Sequence, residues 1–316
     1  MRGRSLFDSP GLTTAIEIAP NRVSVVRIAE QDGRLVVQSQ ASEPLPAGVV
    51  APSLTAVNLT DRDQVAAAIS RVLAATGPRV TRAGLIVPDP VAKVSFVRFE
   101  KVPPRSDDLE QLIRWQVRKT APFQVEEAQI AFSRGAAAPD GSVEFVVALA
   151  RRSVVEEYEG ACAGAGVHAG LVDLATFNIL NAVQAGTRVE DDWLLVAMAA
   201  TYTTIAIVRG DDLIFFRTRP EGEGSLADLV HQTAMYYEDR LRGAGFQRLL
   251  LSGGGAAAGD LEIARVVREL EGRFGARLEH VDPRHAVALT DRIPADAVLL
   301  DRLAPLLGLL VRSRAA

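Results

Sequence analysis

The sequence predicts an α/β protein with a duplicated, two-lobed fold and a small α+β module inserted into the first lobe. Three observations carry that expectation. A hairpin-then-helix pattern occurs twice, roughly 180 residues apart. The stretch between the copies has a helix and strands of its own. Hydrophobic residues make up 48% of the chain but aromatics only 5%, so the core must be built from Val, Leu, Ile and Ala. That chemistry suits parallel strands covered by helices better than an aromatic-rich sandwich.

The first copy runs from Thr14 to Ile28, turns at Asp32 and Gly33, and returns from Leu35 to Gln40. β-Branched runs on either side of an Asp-Gly pair form a hairpin signal. The second copy runs from Leu194 to Ala200 and from Thr203 to Val208, then from Leu213 to Arg217 beyond the turn at Gly210, Asp211 and Asp212. Helical periodicity follows each, from Asp63 to Ala75 and from Leu226 to Arg242. Between them, Asp107 to Lys119 reads as an amphipathic helix. Ser106 is its expected N-cap, Leu109, Leu112, Ile113 and Val117 its buried side, and Pro122 its stop signal. Strands are expected around Val94 to Phe99, Ala128 to Phe132 and Val143 to Ala150, and a helix from Val154 to Ala165. The resulting division assigns 12–90 and 166–190 to the first lobe, 91–165 to the inserted module and 191–316 to the second lobe. The last helical pattern, Leu299 to Val311, is expected to pack in the second lobe.

Composition narrows the function classes. A formal net charge of -4 argues against a nucleic-acid binder and against bulk attraction to anionic lipid. Cys162 is the single cysteine, so an intrachain disulfide and a cysteine metal cluster are excluded. Among alanines on a helix it reads as a small buried thiol. His168, His231, His280 and His285 lack ligand spacing, and neither a Walker phosphate loop nor a nucleophile elbow is present. The basic residues near Met1 have no apolar run behind them, and the apolar stretch from Ala295 to Val311 is broken by Asp296, Asp301, Arg302 and Pro305. These features predict a cytoplasmic protein that meets membranes only through partners.

Laid in order, the two hairpins, Ile86 to Pro88, Ile113 to Gln116, Ala121 to Phe123, Tyr236 and Tyr237, the Ser252 to Gly255 loop and Leu303 to Gly308 resemble the PilM family of type IV pilus assembly. The resemblance runs nearly end to end and implies an actin-like (ribonuclease H-like) fold of the FtsA, actin and sugar-kinase superfamily. It also implies an interlobe cleft where two hairpin turns grip the phosphates of ATP. Each turn normally carries an Asp for the magnesium shell and a Gly for close backbone approach. Here the first turn reads Glu17, Ile18, Ala19, Pro20, Asn21, and Pro20 has no N–H to donate. The second reads Ala197, Met198, Ala199, Ala200 and has lost both acid and glycine. The expected nucleotide-facing residues are therefore a degenerate set: Glu17, Asn21, Ser252, Gly253, Gly254 and Gly255. ATP with magnesium is not favoured, and no catalytic or metal-binding residue is assigned.

The resemblance further implies docking of the N-terminal cytoplasmic segment of a PilN-like membrane protein between the inserted module and the first lobe. Pilus motor ATPases are a further partner class. Arg114, Trp115, Arg118 and Phe123, aromatic and basic residues of the module, are the expected contacts. The favoured reading is a non-catalytic scaffold. Two alternatives stand beside it. One is a slow ATPase or sugar-kinase-type enzyme using the cleft, with Asp173 as the acid nearest to it. The other is a GspL-like cytoplasmic component of type II secretion, which would normally continue into a transmembrane helix.

Overall fold

The computed structural model describes residues 11–315 except 139, 187–188, 254–260, 291–292 and 294. The first half opens with the meander β1 (Thr14–Ala19), β2 (Arg22–Gln31) and β3 (Arg34–Pro44). Asp32 and Gly33 both take positive φ, 51° and 75°, at the expected hairpin turn. Next, α1 (Arg62–Ala75) begins behind Asp61, whose side chain accepts from Gln64 N, and leads to β4 (Arg82–Val87). β4 lies parallel to β1, and β8 (His168–Leu174) lies parallel to β4.

The second half repeats this order: β9 (Asp192–Met198), β10 (Tyr202–Arg209), β11 (Asp212–Pro220), α5 (Leu226–Asp239) and β12 (Arg248–Ser252). Ser225 and Asp228 close a capping box at the start of α5. After α6 (Leu261–Phe274), β13 (Leu278–His280) completes a five-stranded sheet of order β11-β10-β9-β12-β13.

The inserted module is a three-stranded antiparallel sheet, β5 (Ala92–Phe99), β7 (Val143–Arg151) and β6 (Ala128–Ala137) in that spatial order, with α2 (Ser106–Arg118) on one face. Ile113 and Val117 of α2 pack with Val97, Phe145, Val147 and Leu149. Ser106 is the first helical residue rather than the cap. Arg105 holds the cap position and makes no side-chain capping bond.

Two helices depart from the expected division. α3 (Arg152–Gly164) buries Val154, Tyr158, Ala161 and Cys162 in the core shared by β1, β4 and α1, so it packs with the first lobe rather than the module. Burial pushes the Cys162 thiol up to about 12. α7 (Ala297–Ala315) was expected in the second lobe. It lies instead on the first sheet, with Leu303, Leu306, Leu307 and Leu310 against Ala15, Val26 and Ile28. β14 (Ala288–Leu289) joins the same sheet beside β3, giving the order β14-β3-β2-β1-β4-β8. In exchange, α4 (Ala175–Gly186) sends Ile179, Leu180 and Val183 against Trp193, Leu195 and Leu250 of the second half. Each half thus lends its last helix to the other. A helix that is apolar on nearly all sides must be buried, but its sequence does not say against which sheet.

Among the described residues, no helix is long and apolar enough to cross a membrane. The exchanged helices meet at Gly308 of α7, where a Cβ would lie 1.7 Å from the Asn178 carbonyl oxygen. Gly308→Ala is therefore expected to lower stability by about 1–3 kcal/mol, or more if the helices cannot part. Urea unfolding measures it, and an unchanged midpoint would contradict this packing.

Candidate functional site

A cleft of about 550 Å³ separates the two halves. Its walls are the β1–β2 turn, the β9–β10 turn, the end of β12 and the first turns of α4 and α7. Glu17, Asn21, Ser252 and Gly253 all line it, so the fold gathers four of the sequence-predicted residues around one cavity. Gly254 and Gly255 lie outside the described residues. Gly253 has φ of 85°, and a Cβ there would fall 1.9 Å from the Met198 carbonyl oxygen, so the β12 loop leans directly on the second turn.

The donor chemistry of this cleft does not fit a metal-bound triphosphate. Glu17 is buried, and its Oε2 accepts from Arg22 Nη2 at 3.0 Å across the same hairpin. Arg22 Nη1 also reaches Asn21 Oδ1 at 3.3 Å. The one carboxylate of the first turn is thus neutralised from the other strand of its own hairpin, with a guanidinium standing beside it. Ala19, Pro20, Ala197 and Ala199 line the two facing turns and offer no carboxylate; the other acid of the lining, Asp301, comes from α7. Among the described residues, no group of three or more His, Cys, Asp or Glu is placed to hold a metal ion.

Behind the cleft sits a residue outside the sequence-predicted set, flanked by Pro88 and Pro90. Asp89, in the short 3-10 turn Asp89–Val91 after β4, is 1% exposed. Its Oδ1 accepts from Thr176 N at 2.9 Å, and its Oδ2 from Thr176 Oγ1 at 2.5 Å and Thr204 Oγ1 at 2.6 Å. Its own N–H donates to the Tyr202 hydroxyl at 3.3 Å. Thr176 belongs to α4, and Tyr202 and Thr204 to β10, so one carboxylate ties the end of β4 to the second half. Burial pushes its pKa up, against the hydrogen bonds from Thr176 and Thr204, which lower it.

The second concavity is a groove of about 390 Å³ between the module, the edge of β8, α4 and the β10–β11 turn. Strand periodicity builds it. Phe145, Val147 and Leu149 of β7 face α2, whereas Val146, Ala148 and Ala150 face the groove. α4 is the wall between the two concavities: Ala175, Thr176 and Ile179 line the cleft, and Phe177, Leu180 and Asn181 line the groove. Asp173 belongs to the groove rather than the cleft, in an ion pair with Arg312 of α7.

The expected partner contacts lie elsewhere. Trp115 is 58% exposed on α2, across the module sheet from the groove, with Lys119 Nζ 4.4 Å from its ring centre. Arg114 pairs with Glu110 at 2.9 Å. Phe123 packs on the edge of the module core and shares a shallow depression with Arg118 and Pro122. The alternation along β7 could have pointed to the groove, but only once the face covered by α2 was known.

Two repeated halves that exchange their last helices, face hairpin turns across a cleft and carry a module in the first lobe define an actin-like ATPase fold. Within it, the chain belongs to the type IV pilus assembly protein PilM family, whose model matches residues 15–239. Among solved structures, it is similar to a chain of a PilM–PilN type IV pilus biogenesis complex, with 19% identity, a TM-score of 0.79 and coverage of 96% of this chain and 99% of that one. It is also similar to a Bacteroides thetaiotaomicron protein with an actin-like ATPase fold and unknown function, at 9% identity and a TM-score of 0.52, covering 96% and 98%. No curated protein sequence matches the chain.

Asp89→Asn leaves a hydroxyl donor without its acceptor, which is expected to cost about 1–3 kcal/mol. A raised native pKa means that Asp89 binds its proton more tightly in the folded state than in the unfolded one. Its contribution is therefore greatest at low pH and falls as pH rises through the native pKa. The Asn variant should show a flatter stability profile above about pH 4 in urea midpoints, and a profile parallel to the wild type would contradict this.

Proposed function

We propose that this chain is a PilM-like scaffold on the cytoplasmic side of the inner membrane, which holds the N-terminal segment of a PilN-like membrane protein in the groove beside α4. Family membership supports the pilus assignment, and the PilM–PilN complex supports the class of partner. The single observation that carries the site is the groove itself. Its floor is apolar, it lies between the module and both lobes, and it is open at the unpaired edge of β8. Such a surface suits an extended peptide whose side chains alternate between floor and solvent.

The cleft contributes differently in this reading. With Glu17 held by Arg22 and neither acid nor glycine in the second turn, it serves as the seam between lobes rather than a site of phosphoryl chemistry. The outer face of α2, with Arg114, Trp115 and Arg118, and the neighbouring Phe123 stand outside the groove and are not the peptide's first contacts. They remain accessible to other pilus components, motor ATPases among them.

The test is binding of a labelled synthetic peptide, the N-terminal segment of the cognate PilN-like protein, followed by fluorescence anisotropy. Ala131 is exposed on the groove side of β6, so Ala131→Trp should fill the groove without disturbing the core. It is expected to weaken binding more than about tenfold, whereas Trp115→Ala should stay within about twofold. The reverse pattern would move the site to α2.

A further inference from the structure

A peptide entering a largely apolar groove loses water from its backbone carbonyls, and each one left without a donor weakens binding. Arg134 and Arg312 both line the groove, and Arg312 is the one held in place by a carboxylate of the wall among the described residues. Arg312, near the end of α7, lines the groove, and its Nη1 is bound by Asp173 Oδ2. The Asp173 side chain is 10% exposed, and its other oxygen accepts from Leu174 N at 2.9 Å, so strand β8 itself fixes the carboxylate. The Arg312 side chain is 49% exposed and makes no other hydrogen bond among the described residues. Its Nε and Nη2 donors therefore remain for an occupant, on a planar fork whose direction Asp173 sets.

Two further features separate this pair from a simple tether. α7 is already anchored by Leu306, Leu307, Leu309 and Leu310 in the first-lobe core, so the half-exposed ion pair is not needed to hold the helix. β8 ends its sheet, so no strand among the described residues pairs on its outer side, where Val172, Asp173 and Leu174 line the groove. A segment lying extended along that edge would pass its carbonyls in front of the Arg312 fork.

We infer that Arg312, oriented by Asp173, is the specificity-determining donor of the groove. It binds a backbone carbonyl oxygen of an extended partner segment whose apolar side chains rest on Ala131, Ala148, Phe177 and Leu180. This rests on the groove being the partner's docking site. Asp173 acts through Arg312 as a positioning residue.

The experiment uses the full chain and the same synthetic PilN-like peptide. It adds a series of peptides in which one backbone amide at a time is an ester, a weaker carbonyl acceptor. Arg312→Ala is expected to weaken the parent peptide by about tenfold or more, and Arg312→Lys by less, since it keeps the charge but not the fork. One ester position should lose affinity on the wild-type chain yet cost nothing further on Arg312→Ala, a coupling that a purely structural role would not produce. Asp173→Asn should weaken that same coupling. If Ala131→Trp abolishes binding while Arg312→Ala and every ester leave it unchanged, the groove stands and the assignment of Arg312 is overturned. If Ala131→Trp also has no effect, the docking site itself is wrong and this assignment falls with it. Should Arg312→Ala unfold, the Lys variant and the ester series decide the matter alone.

Discussion

Asp89 carries a carboxylate withdrawn from water, and the donors on Thr176 and Thr204 are what make that position tolerable. An isolated buried charge costs far more than one hydrogen bond returns, so the group survives only where several donors converge. Those donors come from α4 and β10, parts of the chain that follow it by 87 and 115 residues. The same network fixes where α4 sits. Because α4 is the wall between cleft and groove, the shape of both depends on that one polar knot. The apolar contacts around it are non-directional and would tolerate a small slide between the halves. Hydrogen bonds to a carboxylate are directional and would not.

The cleft and the groove have been driven apart chemically. In the cleft, the Glu17–Arg22 pair satisfies the only carboxylate of the first turn from within its own hairpin, and the second turn is built from Ala and Met. A triphosphate with its metal would have to break that pair and would find no carboxylate on the second turn. The groove has the opposite character, an apolar floor bordered by a few fixed polar groups, as in sites that take a ligand by shape and a small number of hydrogen bonds. The proposed pairing of a cleft without phosphoryl chemistry and a groove that docks a segment is compatible with the fold because α4 presents a different face to each.

Much of the frame was legible in the sequence because it is written in local periodicity. The two hairpins, their following helices and the module strands all follow from alternation and turn residues, and the eroded turns could be read directly from Ala19, Pro20, Ala197 and Ala199. What escaped was non-local. The partners of Asp89 lie on two other elements, and nothing in the residues around a Pro-Asp-Pro stretch announces them. The exchange of α4 and α7 was hidden because both helices are apolar on several sides, and so fit either sheet. Trp115 drew attention as a rare aromatic on a basic helix, yet Ile113 and Val117 claim the inward face of that helix and leave the indole in solvent. The sheet side of the groove presents Ala131, Val146, Ala148 and Ala150, whose significance lies in the space they leave rather than in any functional group.

The central claim is that this chain works by docking a segment at the groove while its cleft is chemically silent. Amide hydrogen exchange on the full chain, with the PilN-like peptide and separately with ATP and magnesium, tests it most directly. The account predicts protection along the end of β8, β6 and α4 with peptide, and none with nucleotide at the β1–β2 turn or the end of β12. Protection confined to those two cleft segments with ATP and magnesium, and absent from the groove with peptide, would contradict it.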